Sequence, residues 1–414
     1  MEQFAKLGFS SEVLSVLKTA GFEKPTEIQE KTIPLAIAGK DIIGSSATGS
    51  GKTLAFASSI IENLKPNNHV QALIMTPTRE LAEQVAKSIS IFSKNKNLNV
   101  LAVFGGVDIQ KQIRNLYRTD ILVGTPGRIL DHLNRRTLRL DNVKFLVLDE
   151  VDRMLDMGFH KDVESIIRQC PTKRQTMLFS ATISSDLDYL AKKYTKDPID
   201  VLIESIVDHS KLKQIYYDVE SNNKFSLLVH LLKEEDSELV MIFCSTRNNA
   251  DFVSENLNNI GIKARAIHGG LVQNKRLNIL REFHEKRFNI LVCTDVAARG
   301  LDIKSVSHVY NYDIPKISND YIHRIGRTAR AGENGKIINI LASRDYENFG
   351  NIIKNESIKI NQENLPSFKS VRIRIDFSGK RNFSHGRERF EGKRGYSGKN
   401  RTGKFRRMNN KSRF

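Results

Sequence analysis

A loop of small residues near position 50 has the composition of a phosphate-binding site. Residues 41–53 read as a short apolar strand, a small-residue loop and the start of a helix. Glycines let backbone N–H groups wrap around phosphates, and the positive end of the following helix adds attraction. Lys52 can reach the β- and γ-phosphates, and the Thr53 hydroxyl can bind Mg²⁺. We therefore expect a nucleotide phosphate site built from one contiguous set of residues: Thr48, Gly49, Ser50, Gly51, Lys52 and Thr53.

A pair of acids further along the chain complements this loop. Residues 144–149 form an apolar run that ends in Asp149 and is followed by Glu150. Asp149 is placed to hold Mg²⁺, and Glu150 to orient and deprotonate an attacking water. Two acids after a strand could instead cap the next helix, and a Gly-Lys-Thr triplet can occur by chance in a turn. Taken alone, the loop accepts ATP or GTP. Loop and acids together favour hydrolysis of a nucleoside triphosphate.

The elements that must position these residues are predicted from hydrophobic patterning. Short apolar runs alternate with helical stretches, which is typical of parallel sheets. The runs are residues 71–76, 120–124, 144–149, 175–180, 239–244, 289–294 and 336–340. Polar residues follow the end of nearly every run, and ligands of open parallel sheets bind outside the carboxyl ends of the strands. Leu81, Val85, Ile89 and Phe92 recur at helical spacing, which predicts an amphipathic helix packed on a sheet.

Length and composition narrow the class of protein. A chain of 414 residues exceeds a single core and fits two domains plus a remainder. The chain contains no apolar run near 20 residues and no signal-like N-terminus, so we expect a cytoplasmic protein without a membrane span. Its three cysteines are widely spaced, a pattern that indicates neither a disulfide framework nor a zinc site; Cys244 and Cys293 are predicted core thiols.

The positive charge is concentrated at the C-terminus. Residues 378–414 contain thirteen Lys or Arg against two acids, so eleven of the eighteen net positive charges lie there. The segment has too few apolar residues to fold alone, and its phenylalanines and tyrosine are interleaved with basic residues. We expect a disordered nucleic-acid arm that neutralises phosphates and stacks on bases, which suits single strands. A merely solubilising or localising tail is the alternative.

Read together, several short motifs resemble the DEAD-box family of ATP-dependent RNA helicases. These are Asp149-Glu150-Val151-Asp152, Pro77-Thr78-Arg79-Glu80-Leu81-Ala82, Thr125-Pro126-Gly127-Arg128, Ser180-Ala181-Thr182 and His323-Arg324-Ile325-Gly326-Arg327-Thr328-Ala329-Arg330. The resemblance runs from Phe4 to about Ile340. It implies two RecA-like P-loop domains, each a parallel sheet flanked by helices, in residues 1–205 and 211–360, with a disordered basic tail at 378–414. A polar stretch at 204–210 is the expected linker.

The resemblance also implies roles for individual residues on the nucleotide side. The segment around Gly21-Phe22 looks like the family's adenine-reading element, with Thr26 and Gln29 at the nucleotide, Gln29 pairing with the adenine edge and Phe4 stacking on the ring. Arg327 and Arg330 are implied as arginine fingers for the γ-phosphate, and Asp302 as a ribose contact. The residues implied to couple phosphate state to domain contact are Ser180, Thr182 and His323.

RNA is implied to run across both domains through contacts that are largely independent of base sequence. The implied contacts are Pro77, Thr78, Arg79, Gly105, Gly106, Thr125, Gly127, Arg128, Thr246, Arg247, Gly270, Gln273, Arg276 and Thr294. Two residues depart from the family pattern: Val151 replaces alanine and Ala329 replaces glycine, and neither change removes a functional side chain.

We therefore predict a monomeric ATP-dependent RNA helicase that uses ATP and Mg²⁺ and unwinds RNA or remodels ribonucleoprotein complexes when its cleft closes. An RNA chaperone or clamp with slow ATPase is the alternative. A DNA translocase on the same core is a third reading, against which Gln29 and the acidic motif argue.

Overall fold

The computed structural model describes residues 1–46, 50–180, 185–203, 212–298, 303, 306–328, 335–355 and 358–373, and Met1–Ile373 forms one compact unit. The N-terminal lobe contains strands β1 (Ile42–Ser45), β2 (Ala72–Met75), β3 (Val100–Val103), β4 (Ile121–Gly124), β5 (Phe145–Asp149), β6 (Gln175–Ser180) and β7 (Ile199–Leu202). Its helices are α1 (Glu2–Lys6), α2 (Ser11–Thr19), α3 (Glu27–Ile37), α4 (Lys52–Asn63), α5 (Arg79–Phe92), α6 (Ile109–Leu116), α7 (Pro126–Asn134), α8 (Val151–Asp156), α9 (His160–Ile167) and α10 (Ser185–Tyr194).

The C-terminal lobe repeats the alternation of strand and helix. Its strands are β8 (Leu212–Asp218), β9 (Val240–Phe243), β10 (Ala264–Ile267), β11 (Ile290–Cys293), β12 (His308–Asn311), β13 (Gly335–Leu341) and β14 (Asn361–Gln362). Its helices are α11 (Lys224–Glu234), α12 (Arg247–Asn259), α13 (Gln273–His284), α14 (Asp295–Ala298), α15 (Ser318–Ile325) and α16 (Tyr346–Ile353).

Each lobe is built on one seven-stranded parallel sheet, which confirms the predicted fold class. The strand order is β3-β4-β2-β5-β6-β1-β7 in the first sheet and β10-β11-β9-β12-β13-β8-β14 in the second. Adding seven to each strand number of the first sheet gives the second, so the two lobes share one topology. Structurally equivalent loops therefore follow β2 and β9, and likewise β3 and β10.

Helices cover both faces of each sheet, as parallel sheets require. The four predicted residues of α5, from Leu81 to Phe92, are buried in the N-terminal core. Cys244 and Cys293 are buried in the C-terminal lobe, and burial raises the pKa of both thiols, as expected for core cysteines. Within the described residues, no helix has the length and apolar character needed to cross a bilayer.

The C-terminal lobe extends beyond the predicted end at residue 360. Strand β14 pairs with β8, and Phe368, Val371 and Ile373 pack against the buried residues of that sheet. The end was placed too early because a two-residue strand of polar side chains carries no apolar signal. The predicted linker at 204–210 lies outside the described residues.

The shared topology does not give both lobes a phosphate site. Lys224 begins α11 after β8, as Lys52 begins α4 after β1. However, the Lys224 ammonium is almost completely buried and lies 2.7 Å from the Asp345 carboxylate. Its charge is therefore used within the fold and is not available to bind a phosphate group.

Candidate functional site

The described part of the phosphate loop lies where the sequence predicted it, between β1 and α4. Gly51 precedes α4 with a φ of 96°, a conformation that favours glycine. A Cβ atom on Gly51 would also collide with the Gln29 amide. Lys52 Nζ donates to the Ser46 carbonyl at 3.0 Å, and the side chain is buried. An ammonium has three N–H donors, so two remain for phosphate oxygens.

The segment predicted to read adenine lies directly against this loop. Thr26 Oγ1 donates to the Ser50 carbonyl at 2.7 Å, and Gln29 Nε2 donates to the Gly51 carbonyl at 3.1 Å. Gln29 Oε1 accepts from the Thr26 N–H at 3.0 Å, which caps α3. The amide keeps one N–H and one lone pair, which is enough for an adenine edge. The adenine contact itself stays a prediction.

The predicted stacking of Phe4 on adenine is corrected by the structure. The Phe4 ring is fully buried in the N-terminal core, 6.4 Å from the Phe9 ring and 6.2 Å from the Phe22 ring, centroid to centroid. A ring without exposed surface has no face to offer a nucleotide. Phe4 therefore anchors α1 on the core beneath the adenine-reading segment.

Asp149 has the properties of a metal ligand. It ends β5 and is buried, and within the described residues its Oδ1 atom has no hydrogen-bond partner. Burial raises the pKa of Asp149 to about 6, while the Lys52 ammonium opposes this shift and the Glu150 carboxylate adds to it. The described residues include no cluster of three or more acidic, His or Cys side chains that could hold a metal alone. Mg²⁺ commonly uses one or two carboxylates plus phosphate oxygens, and the Asp149 carboxylate fits that pattern.

Glu150 is held in place by a residue that the sequence reasoning missed. It adopts φ 54° and ψ 53°, a left-handed conformation that costs energy for a non-glycine residue. Its Oε2 lies 2.6 Å from Arg153 Nη1, and both side chains are buried. The three-residue spacing on one helix turn was the available signal for Arg153. Val151 points into the neighbouring hydrophobic core, so its extra methyl groups are accommodated there.

Ser180 lies beside the phosphate loop at the end of β6. It pairs with Ser45 across the sheet, and its carbonyl accepts from the Ser46 N–H at 3.2 Å. The predicted site residues that lie outside the described part of the chain are Thr48, Gly49, Thr182, Asp302 and Arg330. Ala329 and the basic tail lie outside it as well.

In the C-terminal lobe, α15 and the turn after it carry the predicted arginine motif. His323 is partly buried on α15, and Arg327 is buried in the following turn. Arg324, which the sequence reasoning gave no role, forms a bidentate pair with Asp295 at 2.6 and 2.7 Å. It also donates to Asn311 Oδ1 at 2.8 Å. Arg324 thus joins α15 to the strand ends of this sheet.

The predicted RNA contacts of the N-terminal lobe come together in one cleft. A cavity of about 570 Å³ is lined by Pro77, Thr78, Arg79, Gly105, Thr125, Gly127 and Arg128, and by Arg276 of the other lobe. Thr78 caps α5 by accepting from the Leu81 N–H at 3.3 Å. The Arg79 guanidinium lies over Gly105 and Gly106, and a Cβ atom on Gly106 would collide with it.

The C-terminal lobe presents the same arrangement at the equivalent loops. Thr246 caps α12 with backbone angles of −128° and 157°, against −127° and 156° at Thr78. The Arg247 side chain lies over Gly269 and Gly270, 3.4 Å from the position of a Cβ atom on Gly269. Thr294, also predicted to bind RNA, is buried at the end of β11.

Two residues that are predicted to bind RNA also make a contact between the lobes. Gln273 Nε2 donates to Glu80 Oε1 at 2.7 Å, and Arg276 Nη2 lies 3.1 Å from the same oxygen. Glu80 is 2% exposed, and it directly follows Arg79 of the cleft. Gln273 is buried in this contact, whereas Arg276 also lines the cavity. Glu80 was part of a quoted motif but received no role from the sequence.

Comparison with known proteins gives two family matches on this chain. A model described as DEAD/DEAH box helicase matches residues 26–190, and a helicase conserved C-terminal domain matches residues 223–332. The ATP-dependent RNA helicase CshA of Listeria monocytogenes is 47% identical over 348 residues, covering 83% of this chain and 67% of that protein. The DEAD-box ATP-dependent RNA helicase CshA of Geobacillus kaustophilus is 44% identical over 370 residues, covering 89% and 79%.

Solved structures give the same result. The crystal structure of a DEAD box protein from the hyperthermophile Methanococcus jannaschii is 43% identical, with a TM-score of 0.54 over 87% of this chain and 99% of that chain. S. cerevisiae Dbp5 bound to RNA and ADP BeF3 is 30% identical, with a TM-score of 0.77 over 87% and 95%. Of these two structures, Dbp5 has the lower sequence identity but the higher TM-score.

Proposed function

This chain belongs to the DEAD-box family of ATP-dependent RNA helicases and is an ATP hydrolase, and from that premise we propose that closure of its two lobes couples ATP hydrolysis to local unwinding of RNA. The observation that carries the proposal is the contact of Glu80 with Gln273 and Arg276, next to the cleft. We expect this contact between the lobes to form when the cleft closes, which would tie the RNA face to the nucleotide face. The higher TM-score with RNA-bound Dbp5 supports a closed arrangement.

On the nucleotide side, each residue has a defined task. Lys52 binds the β- and γ-phosphates, and the Asp149 carboxylate and Thr53 hydroxyl would hold Mg²⁺, which neutralises charge on the phosphates. Glu150, oriented by Arg153, takes the proton of the attacking water. Arg327 and Arg330 stabilise the charge that develops on the γ-phosphoryl group once the lobes close. Gln29 and Asp302 bind the adenine and the ribose.

On the RNA side, the two lobes contribute equivalent surfaces. Arg79 and Arg247 supply positive charge, the glycines beneath them allow close approach of the RNA backbone, and Thr78 and Thr246 start helices whose N–H groups can bind phosphate. A strand held across both lobes by its backbone is read independently of base sequence. Closure bends this strand away from its complement, and hydrolysis reopens the cleft.

The oligomeric state and the cellular location of the protein are proposed from its sequence. We expect a monomer that acts on RNA or ribonucleoprotein complexes in the cytoplasm. Residues 378–414 add RNA affinity through their eleven net positive charges. Size-exclusion chromatography with light scattering, in the absence and presence of RNA, measures the oligomeric state.

The deciding experiment compares RNA with DNA of the same sequence as activator of ATP hydrolysis. We expect stimulation by RNA alone. Equal stimulation by DNA would indicate a translocase instead. Binding of RNA without any stimulated hydrolysis would indicate an RNA clamp, and the cleft-closure mechanism would then be wrong.

A further inference from the structure

A basic surface lies on α6, outside the cleft described above. It comprises Lys111, Arg114, Tyr117 and Arg118, and we call it the α6 basic patch. Lys111 and Arg114 are three residues apart on one face of α6, and Tyr117 and Arg118 lie in the turn that directly follows the helix. All four side chains are exposed, and Tyr117 keeps 77% of its surface accessible. The opposite face of α6 is buried through Gln112 and Leu116.

The charges of this patch are not used within the fold. In the described part of the chain, none of the three cations of the patch forms an ion pair. Two nearby arginines, Arg128 on α7 and Arg135 directly after it, are paired: Arg135 lies 2.7 Å from Asp131, and Arg128 lies 3.8 Å from the same carboxylate. Asp120 follows the patch closely in sequence, but it is fully buried and accepts from backbone N–H groups.

A polar cavity adjoins the two arginines. It measures about 420 Å³ and is lined by Arg114, Asn115, Arg118 and Thr119 and by the residues that begin β3, Asn99, Val100 and Leu101. Two guanidinium groups beside amide and hydroxyl groups suit a phosphate, since arginine binds phosphate through paired N–H donors. An exposed tyrosine beside them suits a base, because every base has a face that stacks on an aromatic ring.

The α6 basic patch and the cleft are connected through β3 and through a contact between α6 and α7. The strand β3 lies between Asn99 of the cavity and Gly105 of the cleft, and a separation of six residues corresponds to at most about 20 Å. Within the helix layer, Arg128 of the cleft donates to Gln112 Oε1 of α6 at 2.9 Å. A stacked single strand advances 3.4 Å per nucleotide, so about six nucleotides cover this distance.

We propose that the α6 basic patch binds the segment of single-stranded RNA that continues beyond the cleft, with phosphates on Arg114 and Arg118 and a base on Tyr117. The inference rests on the proposed RNA path through the cleft. Its consequence is that the N-terminal lobe retains RNA while the cleft opens, because the patch lies wholly on one lobe. An acidic protein segment would be the competing occupant.

The test compares three RNAs on the full chain and on a matched set of variants. One RNA has about six nucleotides, and the other two carry about eight more, one at the 5′ end and one at the 3′ end. The test variant is Arg114→Ala with Arg118→Ala. The control variant is Lys173→Ala with Lys192→Ala, which removes two exposed positive charges elsewhere on the same lobe. Affinity is measured between 50 and 200 mM salt, together with RNA-stimulated ATPase activity.

We expect the arginine variant to keep the activity of the wild type with the short RNA and to lose affinity for one of the extended RNAs. Loss of two phosphate contacts flattens the salt slope by about 1.4, so wild-type affinity falls about sevenfold more than that of the variant across this salt range. The lysine variant should keep the wild-type slope. Tyr117→Ser should weaken binding of that RNA about fivefold or more, and Tyr117→Phe should not.

Different results would refute the cleft mechanism and the RNA-binding role of the α6 basic patch. Absence of ATPase stimulation by the short RNA in the wild-type protein would refute the cleft mechanism. Normal stimulation with identical salt slopes for the arginine and lysine variants would refute the patch as an RNA surface and leave an acidic protein segment as its occupant. Equal losses in Tyr117→Phe and Tyr117→Ser would refute stacking.

Discussion

Replacing Glu80 with glutamine tests whether the contact between the lobes sets RNA affinity. The substitution keeps the shape and one acceptor oxygen but removes the negative charge that faces Arg276. The Glu80 carboxylate is 2% exposed and the Arg276 side chain 12% exposed, so water screens the pair poorly. Burial lowers the pKa of Arg276, and the Glu80 charge opposes this. The contact is therefore weakened while Gln273 can still donate to the new amide.

The magnitude follows from the two bonds involved. Hydrogen bonds to charged groups contribute about 1.5–3 kcal/mol each and neutral ones about 0.5–1.5 kcal/mol. Glu80→Gln replaces two hydrogen bonds to a charged acceptor with bonds to a neutral one, and the Arg276 side chain is slightly exposed. The substitution should therefore weaken the contact by about 1–2 kcal/mol. Since about 1.4 kcal/mol is a factor of ten, the closed form of Glu80→Gln should be about tenfold less populated. The contact joins two lobes, so the free energy of unfolding of either lobe should not change.

The assay measures ATPase activity against RNA concentration and gives the RNA concentration at half-maximal activity. Thermal unfolding of the same proteins is measured in parallel. We expect about tenfold more RNA to be needed, an unchanged melting temperature, and no effect of Glu255→Gln, which changes an exposed acid on α12. The double variant with Arg276→Gln should lose less than the sum of the single changes, because the two residues interact directly. Strict additivity, or an unchanged RNA requirement, would refute the contact as a determinant of closure.

Four further substitutions or conditions probe the rest of the site. Glu150→Gln should bind ATP and RNA normally yet lose ATPase activity by at least about 100-fold; a normal turnover number would exclude it as the base. The pKa of Asp149 is raised to about 6, so its charged form is lost as pH falls through 6, and affinity for Mg²⁺-ATP in binding titrations should fall between pH 7 and 5; a flat profile would contradict this. Because folding raises the pKa of Asp149 above its ordinary value of 3.8, the folded protein holds this proton more tightly than the unfolded chain does. The nucleotide-free protein should therefore lose stability, not gain it, as pH rises toward 6. Phe4→Leu should lower the free energy of unfolding by about 1 kcal/mol without changing ATP affinity, whereas loss of ATP affinity at unchanged stability would restore the stacking role. Deleting residues 378–414 should flatten the salt dependence of RNA binding by about 0.7 per lost phosphate contact, and an identical slope would exclude the tail as an RNA arm.

Local chemistry was predictable because neighbouring residues encode it. The phosphate loop needs small residues, a lysine and a hydroxyl at fixed spacing on a strand-to-helix turn, and the structure places Gly51, Lys52 and Thr53 there. The strands were predictable for a similar reason, since buried parallel strands are continuous apolar runs. The polar strand β14 was missed because backbone pairing with β8 alone defines it.

The errors concern residues whose role depends on what surrounds them. An aromatic side chain can stack on a ligand or fill a core, and only packing against Phe9 and Phe22 decided that Phe4 does the latter. Arg324 stands three residues from Arg327 in one motif, yet its pair with Asp295 makes it a structural residue.

By itself the sequence determined the phosphate loop, the acidic pair, the alternation of strands and helices and the family. The tertiary structure alone decided that both lobes share one strand order, that Glu80 meets Gln273, 193 positions away, and that the cations of the α6 basic patch face solvent unpaired within the described chain. The physical reason is that spacing along a chain fixes only contacts within a turn or between adjacent elements. Contacts between distant segments, and the burial that sets their strength, exist only once the sheets have formed and packed.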